Sequence, residues 1–298
     1  MKILQFYVPD EGLRVGIMEG NSDEVFDITS SGIQSTLDLI KRSILLKMPI
    51  ESIVKSQEKK GKFSYNELNI MPDKTKPHLL LPIYPPEVWG CGVTYKRSAE
   101  MRDDDTTSAK GIYDYVYSAT RPELFFKATS SRCSGPNDYI CIRSDSVLTA
   151  AEPELAYVLG DGKEIIGYTI CNDVSAWDIE RENPLYLPQS KIFYGCCALG
   201  PVISLNSEIK NPYNLNITCK IIRNGSVIFS GEVNSSKIKR TFDELTDFLC
   251  RDNPILPGTT MTTGTGIMIP NDYALEPNDV VEIEIEGIGK LSNPVKKL

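Results

Sequence analysis

Glu152-Pro153-Glu154 leads straight into Leu155-Ala156-Tyr157-Val158-Leu159-Gly160, and this segment restricts the fold more than any other in the chain. On a strand, residues i and i+2 point to the same face, so two carboxylates stand side by side at the entry to an apolar run. Like charges beside a buried run repel unless a cation, solvent or a shared proton relieves them. A second apolar run, Gly167-Tyr168-Thr169-Ile170-Cys171-Asn172-Asp173, follows and also ends in an acid. If Asp173 is brought beside the pair, three oxygen ligands meet, a donor set that suits a hard ion such as Mg2+ or Mn2+. The same spacing also fits glutamates on a solvated strand edge with Asp173 capping a turn. Spacing alone leaves both arrangements open.

The rest of the chain supplies the frame for such a sheet. Its 298 residues suggest about two domains at roughly 150 residues each. Ile3 to Val8, Arg14 to Glu19 and Glu24 to Ile28 read as short strands divided by turn residues. Ile33, Leu37, Ile40, Ile44 and Met48 recur at helical spacing, which predicts a helix over 33–48 ended by Pro49. A second short helix is expected around Ser52 to Lys59. Pro77, Pro82, Pro85 and Pro86 then crowd the segment from Lys74 to Pro86, which places a domain boundary there. Beyond it strand signals dominate, from Leu155 to Leu159, Ile165 to Cys171, Leu215 to Ile222, Val227 to Val233 and Val280 to Ile285. Asn224-Gly225 predicts a two-residue hairpin, because both residues tolerate positive φ. Thr241 to Cys250 reads as a helix with Thr241 as cap and Glu244 completing a capping box.

Composition removes several function classes. With 32 Lys+Arg against 40 Asp+Glu, the formal net charge is −8. Without a basic run to meet a phosphate backbone, no nucleic-acid partner is expected. No stretch approaches the roughly 20 apolar residues of a membrane span, and the start is too soon interrupted for a secretory signal, so no membrane partner is expected. The eight cysteines form no C-x-x-C pair and read as reduced, mostly buried residues of a cytoplasmic protein. His78, the single histidine, lies among the linker prolines, where packing or surface exposure suits it better than catalysis. That disfavours a Ser-His or Cys-His couple. Thr262-Thr263-Gly264-Thr265-Gly266 reads equally as a strand-end turn or as a donor-rich cradle for a carboxylate, and it lacks the glycine spacing of a P-loop.

An ordered series of blocks resembles the fumarylacetoacetate hydrolase family. It runs through Trp89-Gly90-Cys91-Gly92-Val93-Thr94-Tyr95, Pro122-Glu123-Leu124-Phe125-Phe126-Lys127, Glu152-Pro153-Glu154-Leu155-Ala156 and Gly167-Tyr168-Thr169. It continues through Asn172-Asp173-Val174-Ser175-Ala176, Ser190-Lys191, Leu199-Gly200-Pro201 and Thr263-Gly264-Thr265. The resemblance implies an α+β, mainly β fold: a small N-terminal α/β domain over 1–80, then a fumarylacetoacetate-hydrolase-like mixed β-sandwich roll over 81–298. It implies Mg2+, with Mn2+ or Ca2+ as substitutes, held by Glu152, Glu154 and Asp173. It also implies Glu123 and Lys191 as the proton-transfer pair, and Tyr95, Ser98, Lys127, Gly264 and Thr265 around a small 2-keto acid. A homodimer or homotetramer is expected.

Two departures matter. Family hydrolases usually carry a histidine after the Gly-x-Asn-Tyr block, and here Ser98 falls at that place. A serine with no base cannot replace an imidazole near neutral pH, so a lyase is favoured over a hydrolase. The resemblance then implies dehydration of a 2-keto-3-deoxy pentonate to 2,5-dioxopentanoate, through Mg2+-assisted enolate formation and loss of water in pentose catabolism. An acylpyruvate hydrolase, an oxaloacetate decarboxylase and a non-catalytic protein tied together by its ion are the alternatives. The second departure is Trp177, where arginine is common, so any contact of that arginine is in doubt.

Overall fold

The computed structural model describes residues 1–20, 22–96 and 111–298. Pro153–Leu159, Ile165–Asp173 and Cys197–Leu205 lie side by side and antiparallel at the middle of a twelve-stranded sheet. Their near-continuous apolar sequences follow from burial on both faces, which removes the usual alternation of apolar and polar residues. Outward on one side, Lys2–Val8 pairs with Cys197–Leu205 through Lys2 opposite Ser204 and Ile3 opposite Ile203. Gly12–Met18, Glu24–Asp27 and Gly61–Ser64 continue that edge as a meander. On the other side Pro153–Leu159 pairs with Thr260–Thr262, which runs parallel to Val88–Gly92 and so brings Glu123–Ala128 into the sheet.

A second, five-stranded sheet is built from Ser226–Asn234, Asn216–Arg223, Val280–Ile285, Gly289–Lys297 and Ile140–Ile142. Its first hairpin turns at Asn224 and Gly225, whose φ angles of 51° and 77° are those of the expected tight turn. Mainly sheet with few helices, the molecule has the expected α+β character.

Helix ends depart from the periodicity for local reasons. The first helix is Thr36–Leu46, shorter than 33–48, because the Ser35 side chain caps it by accepting from Asp38 N, and Lys47 turns left-handed at φ 52°. Pro49 then precedes the next helix, Ile50–Lys55, as its cap residue. Thr241 caps Phe242–Leu249 by accepting from Glu244 N at 3.1 Å, a contact worth about 1 kcal/mol. The reciprocal arm of the box does not appear; the Glu244 carboxylate pairs with Arg240 at 2.6 Å instead. His78 is buried, its Nδ1 2.9 Å from Lys76 O and its ring 5.1 Å from that of Tyr7. All eight cysteines are free thiols, and six of them are buried. No helix among the described residues is long and apolar enough to cross a membrane.

Candidate active site

The antiparallel register decides between the two arrangements left open by spacing. Pro153 stands opposite Asn172 and Glu154 opposite Cys171, so Glu152 lies level with Asp173, whose N–H donates to Glu152 O at 2.9 Å. Carboxylate oxygens of Glu152, Glu154 and Asp173 come within 4.8 Å of one another, and no other group of acids, cysteines and histidine among the described residues does so. The three residues are 3%, 2% and 1% exposed. They face the interior, not a solvated edge.

Buried like charges need compensation, and two lysines supply it. Lys191 Nζ donates to Glu152 Oε1 at 2.9 Å, Asp173 Oδ2 at 3.1 Å and Ser175 Oγ at 2.7 Å. Lys127 Nζ reaches Asp173 Oδ1 at 2.5 Å and donates to Val174 O at 2.9 Å and Lys191 O at 2.6 Å. Burial disfavours the Lys127 ammonium, but Asp173 and nearby thiols outweigh it, so the pKa ends above that of an ordinary lysine. Trp177 Nε1 adds a neutral donor to Glu152 Oε1 at 2.7 Å, and Gly264 N donates to Glu154 Oε2 at 2.7 Å. The three carboxylates outnumber the two ammonium groups, and a fourth buried acid, Glu180, stands 4.0 Å from Lys191, so the interior keeps a negative balance. Burial, then Asp173 and Glu152, hold the Glu154 pKa well above the usual carboxylate range. A buried, net-negative trio of hard oxygen donors fits a hard divalent cation.

The trio forms the floor of a cleft walled by Cys91, Gly92, Val93, Glu123, Phe125, Leu187, Lys191, Gly264 and Thr265. Two chain segments meet there. Glu123 sits across the ladder from Gly92, and a Cβ on Gly92 would lie 2.0 Å from Glu123 Oε2. Only glycine leaves room for that carboxylate. Val93 is left-handed at φ 54°, a strained state for a β-branched residue and one that concentrates at functional sites. Thr94 Oγ1 then donates to Thr263 O at 2.6 Å, and Gly264, at φ 82°, passes so close that a Cβ would stand 2.2 Å from that hydroxyl.

Glu123, Lys191, Gly264, Thr265 and the acidic trio therefore share one cleft. Lys127 is expected at the substrate, but it is fully buried and, unlike Lys191, does not line the cleft; its ammonium contacts Asp173 and the carbonyls of Val174 and Lys191. Thr265 Oγ1 is engaged within its own turn, accepting from Ile267 N at 3.2 Å. Tyr95 lines a neighbouring cavity with Lys96, Tyr117 and Gly266. Its hydroxyl is buried without a hydrogen-bond partner among the described residues, and burial followed by Glu154 pushes its pKa up. Ser98 lies outside the described residues. The contact of Trp177 with Glu152 carries no local signal in the sequence, since it depends on strands brought together from a distance, whereas Ser175 Oγ donates to Asp173 O only two residues away at 2.9 Å.

Comparison with known proteins agrees with this geometry. The family model described as fumarylacetoacetate (FAA) hydrolase C-terminal matches residues 87–296. The 2-dehydro-3-deoxy-D-arabinonate dehydratase of Saccharolobus solfataricus is 54% identical over 219 residues, covering 72% of this chain and 74% of that protein. A Haloferax volcanii protein named "Probable 2-keto-3-deoxyxylonate dehydratase" is 42% identical over 218 residues, 73% of this chain and 75% of its own. Among solved structures, "2-keto-3-deoxy-D-arabinonate dehydratase complexed with magnesium and 2,5-dioxopentanoate" superposes with a TM-score of 0.85 at 42% identity, over 100% of this chain and 99% of that one.

Proposed function

Because this chain belongs to the fumarylacetoacetate hydrolase family, we propose that it is a hydro-lyase converting 2-keto-3-deoxy-D-arabinonate to 2,5-dioxopentanoate and water. The observation that carries this reading is the buried Glu152, Glu154 and Asp173 trio at the floor of a small cleft, in a chain that matches over its whole length a dehydratase solved with magnesium and that product. These three residues would hold Mg2+, with Mn2+ or Ca2+ as substitutes, and the ion would supply Lewis acidity toward the 2-oxo carboxylate.

The residues around the trio have distinct tasks. Glu123, on the cleft wall, takes the proton from C3. Lys191, beside Glu152 and Asp173, offsets the charge of the substrate anion and protonates the C4 hydroxyl as it leaves as water. A hydrogen then passes from C5 to C3, which leaves a C4–C5 enol, and transfer of the enol hydroxyl proton to C4 gives the C5 aldehyde. Thr265 closes the cleft at the carboxylate end, while the Gly264 amide is spent on holding Glu154. Lys127 fixes Asp173 rather than touching substrate. Tyr95, through its buried hydroxyl, and Ser98 complete the proposed substrate contacts.

This reading extends to organisation. Residues 1–80 form a small N-terminal unit and 81–298 the catalytic domain, a division supported by a family match that begins at 87. The protein works in the cytoplasm as a homodimer or homotetramer. A substrate panel tests the assignment: 2-keto-3-deoxy-D-arabinonate, its C4 epimer derived from xylonate, an acylpyruvate and oxaloacetate, with products read by NMR. The pentonate should give one semialdehyde. Faster cleavage of the acylpyruvate into two acids would refute the lyase.

A further inference from the structure

We propose that Trp177 is a positioning residue whose indole N–H sets the Glu152 carboxylate for a divalent cation; the proposal rests on the metal reading above. Trp177 opens the helix Trp177–Glu182, directly after the short strand Ser175–Ala176. That strand pairs with Thr149–Ala150, Thr149 opposite Ala176 and Ala150 opposite Ser175. One segment runs on into Trp177 and the other into Glu152. The antiparallel register sets Trp177 level with Leu148, and its long side chain reaches back along the ladder to the Glu152 carboxylate. Trp177 N donates to Leu148 O at 2.9 Å and anchors the start of the helix, and the ring is only 4% exposed.

The contact itself is charge-assisted. Trp177 Nε1 lies 2.7 Å from Glu152 Oε1, and the same oxygen receives Lys191 Nζ at 2.9 Å. A carboxylate oxygen has two lone pairs, so Oε1 is fully engaged, and the group cannot rotate without breaking both bonds. The ring is steadied in turn by the Arg181 guanidinium, 5.0 Å from it, whose Nη1 donates to Asn271 Oδ1 at 3.0 Å.

Indole suits this place because it donates one hydrogen bond and carries no charge. A third cationic donor would cancel the remaining negative charge of the site and oppose a cation. A buried indole needs only some acceptor, and a backbone carbonyl would satisfy it. Here its partner is one of the three acids. Loss of such a partner behind a metal ligand typically costs about 10–100-fold in metal affinity.

The test compares the full-length protein, W177F, and a protein carrying 3-benzothienylalanine at 177, which keeps the bicyclic shape and lacks the N–H. Free Mn2+ is followed by EPR during titration, thermal midpoints are taken without metal, and kcat is measured at saturating Mn2+. Both substitutions should weaken Mn2+ binding about 10–100-fold. The isosteric protein should keep its metal-free midpoint and recover kcat to within a few-fold of the parent once saturated. Mn2+ binding by the isosteric protein within about twofold of the parent would overturn the proposal. So would weaker binding accompanied by a lowered metal-free midpoint, which marks a merely structural indole. Failure of the unsubstituted chain to take up Mn2+ would overturn the metal reading itself, and this inference with it.

Discussion

Replacing Lys191 by methionine probes the charge balance directly, because methionine keeps the apolar stem and deletes the ammonium. In the intact protein Lys191 touches Glu152, Asp173 and Ser175 at 2.7–3.1 Å and is 2% exposed. Its removal takes one positive charge from beside the buried Glu152, Asp173 and Glu180 carboxylates, so the metal-free site becomes one charge more negative. Breaking a buried pair by deleting one partner costs about 3–5 kcal/mol. At about 2–4 °C per kcal/mol, the metal-free midpoint should fall by about 6–20 °C at pH 7. The pH dependence has a definite sign. Losing the cation leaves the charged carboxylates it served without a partner, so the penalty belongs to their ionised forms. It is small near their unfolded value of about 4 and grows as pH rises. Saturating Mg2+ should recover more stability in K191M than in the parent, since the dication then meets one more uncompensated charge, while turnover stays low. Thermal unfolding at pH 4.5 and pH 7, in EDTA and in Mg2+, reads all of this. A metal-free K191M within about 1 kcal/mol of the parent at pH 7 would refute the charge balance.

Two further outcomes follow from the same geometry. In E154Q the carboxylate held above its usual pKa by burial, Asp173 and Glu152 is gone. The metal-free protein should therefore melt higher than the parent at pH 7, lose that advantage as pH falls toward 4, and bind Mg2+ far more weakly in calorimetry. In G264A the new Cβ must occupy a left-handed residue 2.2 Å from Thr94 Oγ1 and 2.8 Å from Cys91 O. Backbone strain alone costs about 1–2 kcal/mol, and the displaced amide releases Glu154, so denaturant midpoint and Mg2+ affinity should fall together.

What could be read from residues alone depended on how local its cause was. Pro153–Leu159 and Ile165–Asp173 are legible because burial on both faces writes unbroken apolar runs. The Asn224-Gly225 turn and the Thr241 cap are legible because each is a property of two to four neighbouring residues. The first helix reads too long because Ile33 and Met48 fall on its apolar period without belonging to it. Ile33 is bridged to Ser30 ahead of the cap, and Met48 follows left-handed Lys47. Candidate ligands were visible in Glu152, Glu154 and Asp173, but whether they faced solvent or one another hung on a strand register that spacing does not encode. Lys127 shows the limit most clearly. Its charge marked it for the site, yet only the packed structure spends all its donors on Asp173 and two carbonyls.

Anomalous diffraction from a crystal grown with Mn2+ tests the central claim in one measurement. One strong peak per chain should appear among Glu152, Glu154 and Asp173, at the floor of the cleft that Glu123 and Lys191 wall. A map with no peak there, or with the ion bound elsewhere and the three carboxylates still satisfied by lysines alone, would contradict it.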